Sequence, residues 1–155
     1  MITAISPNCR QIFFNIPVPS TILSGSVVTI QVTNGDGTIT NFPAIALGGY
    51  IIINVSLDCV GVLQYSVIRN NETILTALLV ASCEIDCCIA KLVESAINCT
   101  CHCDKCKEEL LRAEKIHLLL GAAKYTAEIN GNYEDAVAKY NKAREFCTEV
   151  CACGC

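Results

Sequence analysis

The residues with the clearest chemical potential are the 13 cysteines, eleven of which lie within residues 83–155. Two runs are dense, "CTCHCDKC" at 99–106 and "CTEVCACGC" at 147–155. Four thiolates bind Zn²⁺ tetrahedrally at about 2.3 Å, so closely spaced cysteines can supply a complete site. The spacing predicts zinc, with iron as an alternative, and eight candidate ligands: Cys99, Cys101, Cys103, Cys106, Cys147, Cys151, Cys153 and Cys155.

The two runs are distant in sequence but are expected to meet in space. If the helical segments on either side of Gly131 pack antiparallel, positions equally far from Gly131 lie level with each other. Cys151 then lies level with residue 111 and Cys155 with residue 107. We therefore expect one cluster that holds one or two metal ions and closes the helical hairpin.

The same geometry predicts a second, weaker metal site. Folding the first helix back near residue 101 brings Cys87 and Cys88 level with the segment before His117, where Cys147 also falls. Cys83 and Cys87 are four residues apart and share a helix face. The alternative interpretation is that these cysteines belong to the core and that His117 lies on the surface.

The cysteines also allow other interpretations. The first residues do not have the pattern of a secretion signal, which favours a reducing compartment and metal binding; in an oxidising compartment the same spacing would give disulfides. "CTCHC" and "CACGC" resemble metallothionein runs, which would imply metal buffering, although this chain has a large apolar content. "CDKC" resembles a redox dithiol without the supporting βαβ context, and no enzyme activity is expected.

Charge divides the chain into two regions. Residues 1–82 carry only five charged side chains, and residues 83–155 carry the other 21. The alternating run "SVVTIQVTN", the turn "NGDG" at 34–37 and the turn at 69–72 predict about six short strands in residues 1–82. We expect an antiparallel β-sandwich there, in which Cys9 and Cys59 are lone thiols.

Residues 83–155 are predicted to be helical. Ser82 and Asp104 are placed to cap helices, and Gly131 is placed to end one. Apolar positions at helical spacing supply the expected core, including Leu110, Leu111, Leu118 and Leu119. The predicted fold is thus α+β, with a sandwich domain at 1–82 and a three-helix region at 83–155 stapled by the cysteine cluster.

Composition restricts the partners. The net charge is −4 without a basic stripe, which argues against nucleic acid, and no apolar run reaches the roughly 18 residues of a membrane span. No motif indicates a small-molecule substrate. A β-domain with so few charges has low solubility unless other subunits cover it, which predicts a homo-oligomer or a larger assembly.

The succession of a β module with few charges and a cysteine-rich helical region resembles small structural virion proteins of tailed bacteriophages, such as neck, tail or fibre-attachment adaptors. The resemblance concerns architecture across the whole chain. It implies a non-enzymatic assembly adaptor, located in the virion and made in a reducing cytoplasm. The alternatives are a cytoplasmic location and a metal-buffering or regulatory zinc-binding protein.

Overall fold

The computed structural model describes residues 3–98 and 104–148. Within them lie seven strands and three helices, so the expected α+β class is confirmed. The elements are β1 (Ala4–Ile5), β2 (Gln11–Pro17), β3 (Val27–Thr33), β4 (Ile39–Ile45), β5 (Tyr50–Ser56), β6 (Gly61–Arg69), β7 (Glu72–Ala81), α1 (Cys83–Ile97), α2 (Asp104–Glu128) and α3 (Tyr133–Thr148).

The strands form two antiparallel sheets. Sheet A has the order β1-β2-β5, and sheet B has the order β4-β3-β6-β7. Both predicted turns are confirmed: Gly37 N–H donates to the Asn34 carbonyl in the first, and Asn70 and Asn71 have φ of 51° and 63° in the second. Positive φ at both central positions matches the right-handed twist of a hairpin, and asparagine tolerates it.

Strand alternation builds the first core. In β3 the predicted inward residues Val28, Ile30 and Val32 are at most 1% exposed. They belong to one cluster with buried side chains of sheet A. Phe14 of β2 packs edge-to-face on Tyr65 of β6, with ring centroids 5.2 Å apart, so the two sheets contribute to the same core.

A second core lies on the opposite face of β6 and β7. Val62, Leu78 and Val80 alternate with the inward residues and pack with buried side chains of all three helices. The helices form antiparallel pairs, and Gly131, with φ of 64°, donates its N–H to the Ala127 carbonyl at the end of α2. The helical region is therefore attached to sheet B through side-chain packing.

One detail of the helical prediction is wrong, and another is confirmed only in position. Leu110, Leu111 and Leu118 are 47%, 64% and 65% exposed, because α2 turns a different face towards the sheet. That face consists of Ala113, Ile116, Leu120, Ala123 and Ala127. Ser82 occupies the N-cap position of α1, but its hydroxyl donates to Asp86 Oδ2 at 2.8 Å and makes no side-chain cap bond.

Candidate functional sites: cysteines, a cleft and an apolar sheet face

A disulfide joins Cys9 to Cys83 and so connects the β1–β2 loop to the first residue of α1. The Cα atoms are 6.0 Å apart, although 74 residues separate the two cysteines. Cys9 has a φ of 56°, and its carbonyl accepts the N–H of Cys59 at 2.8 Å, which holds the loop in place. The expectation that Cys9 is a lone thiol is wrong. Nothing in the sequence near Cys9 indicates that the first residue of α1 lies beside it in the fold.

A second disulfide joins Cys88 of α1 to Cys147 in the last turn of α3, with Cα atoms 5.9 Å apart. The structure therefore brings these two candidate ligands together as a bonded pair. His117 is exposed on α2 and Cys87 is an exposed free thiol on α1. Cys83 is bonded to Cys9. Of the cysteines in the weaker predicted site, Cys87 is therefore a free thiol, whereas Cys83, Cys88 and Cys147 are in disulfides.

Of the eight main candidate ligands, the structure describes Cys106 and Cys147, and both are disulfide-bonded. Cys99, Cys101, Cys103, Cys151, Cys153 and Cys155 lie outside the described residues, as does His102. In residues 3–98 and 104–148, no group of three or more His, Cys, Asp or Glu side chains could hold a metal ion. Because the thiolate is the form that ligates a metal, zinc at Cys106 or Cys147 requires those disulfides to be reduced.

Glu109 is an unexpected feature of the same end of α2. It lies one turn after Cys106 and is 6% exposed, and its Oε2 lacks a hydrogen-bond donor among the described residues. A buried carboxylate oxygen normally accepts a hydrogen bond or coordinates a cation. Acidic residues are common in the first turns of helices, so the sequence carried no signal that this one is buried.

The two free thiols of the described residues differ in their environment. Cys59 is buried, and its Sγ lies 3.0 Å from the Leu57 carbonyl, to which it donates. Burial raises the pKa of the Cys59 thiol, so it is held as an unreactive core group, as predicted. Cys87 is exposed on α1, next in sequence to the bonded Cys88.

A cleft of about 130 Å³ separates α3 from the β3–β4 turn and the start of β6. Asn34 shapes this region, because its Oδ1 accepts the N–H groups of Gly35 and Val60 at 2.8 and 2.9 Å, and its Nδ2 donates to the Asp58 carbonyl. Arg144 of α3 lies at the rim. Asn34 thereby joins the β3–β4 turn to the loop before β6 on one side of the cleft.

Tyr140 lines this cleft and packs its ring near Gly61, where an added Cβ would lie 3.6 Å from the ring. Burial raises the pKa of Tyr140, and repulsion by Glu84 adds to the increase, while Arg144 opposes it. The hydroxyl therefore stays protonated and lies 3.4 Å from the Ala81 carbonyl, to which it donates. This contact fixes α3 to the end of β7.

The outer face of sheet A carries no charge and exposes four large apolar side chains. Ile5, Phe13, Tyr50 and Ile52 are 48%, 39%, 44% and 61% exposed, and β1, β2 and β5 contain no charged residue. The register places Ile5 opposite Phe13 and Ile52 opposite Asn15. We call this surface the sheet A face; its remaining outward side chains are Gln11, Asn15, Pro17, Asn54 and Ser56.

A second group of exposed apolar side chains lies at one end of the strands. Val27 and Ile45 pair across β3 and β4 and are 68% and 51% exposed, and Leu23 and Leu47 stand on the adjoining loops at 74% and 63%. These residues lack charged neighbours in the same loops. The exposed apolar surface of the β region is thus distributed over a face and an end.

Comparisons with protein-family models and with curated proteins find no match for this chain. In the described residues, no helix combines the length and apolar character needed to cross a membrane.

Proposed function

We propose that this chain is a non-enzymatic structural subunit, an adaptor in a larger protein assembly, and that the assembly is a virion of the tailed-bacteriophage type. The observation that carries the assembly role is the sheet A face, with four large apolar side chains exposed and no charge on its three strands. Several large apolar side chains exposed together on one uncharged face indicate a protein interaction site. The virion location rests on the architectural resemblance.

The arrangement of the layers supports a rigid adaptor. The proposal treats the two sheets as a β-sandwich, for which the Phe14–Tyr65 contact between sheets and the shared core are the supporting observations. It treats residues 83–155 as a helical unit docked on sheet B. The disulfide from Cys9 to Cys83 ties that unit to the β1–β2 loop of sheet A, and the disulfide from Cys88 to Cys147 ties α1 to α3 within it.

Structural zinc belongs to this proposal for the reduced form of the chain. The clusters at 99–106 and 147–155 would then hold the ends of α2 and α3 together, as the disulfide at Cys147 ties α3 to α1 in the oxidised form. Intact mass spectrometry with thiol alkylation distinguishes the two forms. Bound zinc, with Cys106 and Cys147 alkylatable once a chelator has removed it, supports the metal form, whereas cysteines that stay blocked without zinc contradict it.

The assembly role is tested by native mass spectrometry and sedimentation over a wide range of concentrations. We expect species larger than one chain, and we expect Phe13→Lys to reduce the largest species because it places a charge in the sheet A face. The matched control is Leu118→Lys, since Leu118 is 65% exposed on α2, outside this face. A monodisperse monomer at every concentration contradicts the proposed function.

A further inference from the structure

The free edge of β5 carries unpaired main-chain groups. Sheet A ends at β5, which pairs with β2 on one side and with no strand of the described residues on the other. Val18 N–H donates to the Gly49 carbonyl and Leu57 N–H to the Arg10 carbonyl, which identifies the residue pairs that exchange hydrogen bonds. In an antiparallel ladder every second residue pair is hydrogen-bonded. Counting in steps of two between residues 49 and 57, the N–H and C=O groups of residues 51, 53 and 55 point towards β2. Those of Tyr50, Ile52, Asn54 and Ser56 therefore point to the free edge.

Only three of these four residues are available for pairing. Tyr50 already exchanges two hydrogen bonds with Leu47, at 2.8 and 3.1 Å. Ile52, Asn54 and Ser56 have no such partner on this side in the described part of the chain. They offer three donors and three acceptors in a row, which is a template for another strand.

The other sheet edges of the described residues are protected. β1 has two residues, β4 contains Pro43, and β7 begins at Glu72 and contacts both β1 and α2. Short length, proline, charge and cover are the usual means of preventing edge pairing. β5 has seven residues, without charge or proline.

We infer that a second copy of this chain pairs with β5, antiparallel about a two-fold axis at Asn54, to form a six-stranded sheet with the order β1-β2-β5-β5-β2-β1. This register uses all three available residues, because Asn54 pairs with Asn54 of the second copy and Ile52 with its Ser56. Six main-chain hydrogen bonds result. The inference rests on the proposed assembly role and names its first contact.

The side chains of β5 suit pairing with an identical strand. A two-fold axis places equal side chains opposite each other, so a charge near the axis would repel its own copy. At Asn54 the pair is a neutral amide that can both donate and accept hydrogen bonds. On the inner face Ile53, which is half-buried in the single chain, lies opposite Val55 of the second copy and becomes covered.

The size of the contact predicts its strength. A seven-residue strand is about 24 Å long, and one strand edge covers much less than the roughly 800 Å² per partner of a standard interface. β4 also contacts β5, so sheet B adds to the surface beside this edge. We therefore expect a dimer that forms with increasing concentration and whose doubled sheet A face is available to further subunits.

Amide hydrogen exchange at several protein concentrations tests the register. The amides of residues 51, 53 and 55 are expected to be protected at all concentrations, because β2 holds them. Those of Ile52, Asn54 and Ser56 are expected to gain protection only as the dimer forms. A dimer that leaves these three amides unprotected overturns the inference and leaves the proposed function standing.

Two matched variants test the position of the contact. Asn54→Lys places like charges at the axis and is expected to weaken dimerisation at least about tenfold. Asn15→Lys is the control, because Asn15 is an exposed asparagine on the sheet A face of β2, inside the sheet. It is expected to change dimerisation by less than about threefold.

Asn54→Pro, which removes one outward N–H without adding charge, is expected to weaken the dimer as well. Equal effects of Asn15→Lys and Asn54→Lys overturn the edge contact while an oligomer still supports the assembly role. Protection of the β5 edge only after addition of a different protein overturns pairing with a second copy. A monomer at every concentration overturns both the inference and the proposed function.

Discussion

The Cys88–Cys147 disulfide provides the sharpest test of how the helical region is held. Replacing both cysteines by serine removes a link across 59 residues between α1 and the last turn of α3. In the chain-entropy model, closing a loop of this length raises the free energy of the unfolded chain by about 4 kcal/mol. This is the largest contribution that the disulfide can make to the unfolding free energy. The Cys9–Cys83 loop spans 74 residues and does not overlap it in sequence, so the two contributions are expected to be nearly independent.

The assay is urea unfolding followed by circular dichroism at the helix band, in oxidising buffer. We expect the double variant to lose about 2–4 kcal/mol of unfolding free energy, since disulfides commonly contribute less than the entropic maximum. Cys87→Ser is the matched control, because Cys87 is exposed and unbonded on the same helix. Its effect is expected to stay within about 0.5 kcal/mol.

A double variant as stable as the parent chain in oxidising buffer would show that the disulfide does not hold the helical region. If a chelator instead destabilises the parent by several kcal/mol, the cysteines act as metal ligands and the zinc form accounts for the helical hairpin. Repeating the titration with reductant and stoichiometric zinc separates the two mechanisms.

Three further changes test the packing and the charges. Ile116→Ala is expected to cost about 2–5 kcal/mol in thermal or urea unfolding, whereas Leu118→Ala costs less than about 0.5, since Ile116 is fully buried and Leu118 is 65% exposed. Gly35→Ala would place a Cβ 1.9 Å from the Val60 carbonyl oxygen, so we expect a loss of at least about 2 kcal/mol, and unchanged stability would show that the loop moves freely. Burial raises the pKa of Glu128, so the folded chain binds more protons there than the unfolded chain. The contribution of Glu128 to the unfolding free energy therefore falls as pH rises above 4.5. Glu128→Gln should therefore flatten the pH dependence of stability above that value; an unchanged profile would contradict it.

Much of the local structure follows from the sequence because local interactions determine it. Val28, Ile30 and Val32 alternate with polar residues, and all three are buried. Because side chains alternate between the two faces of a strand, a strand places these three on the same face. Gly37 in the first turn and Asn70 and Asn71 in the second accept the positive φ that hairpin turns require. Gly131 ends α2 for the same reason. The absence of charge from the strands of sheet A is likewise a property of the sequence, and from it we predict an oligomer or a larger assembly.

Tertiary structure alone decided the rest. Helical spacing in α2 allows several apolar stripes, and only docking against β6 and β7 selects the one with Ile116 over the one with Leu118. The partner of Cys9 lies 74 residues away, and no local pattern encodes that distance. The open edge of β5 depends on strand order, which arises from the packing of two sheets around one core. The sequence determines which residues are apolar, flexible or reactive, and the fold determines which of them meet.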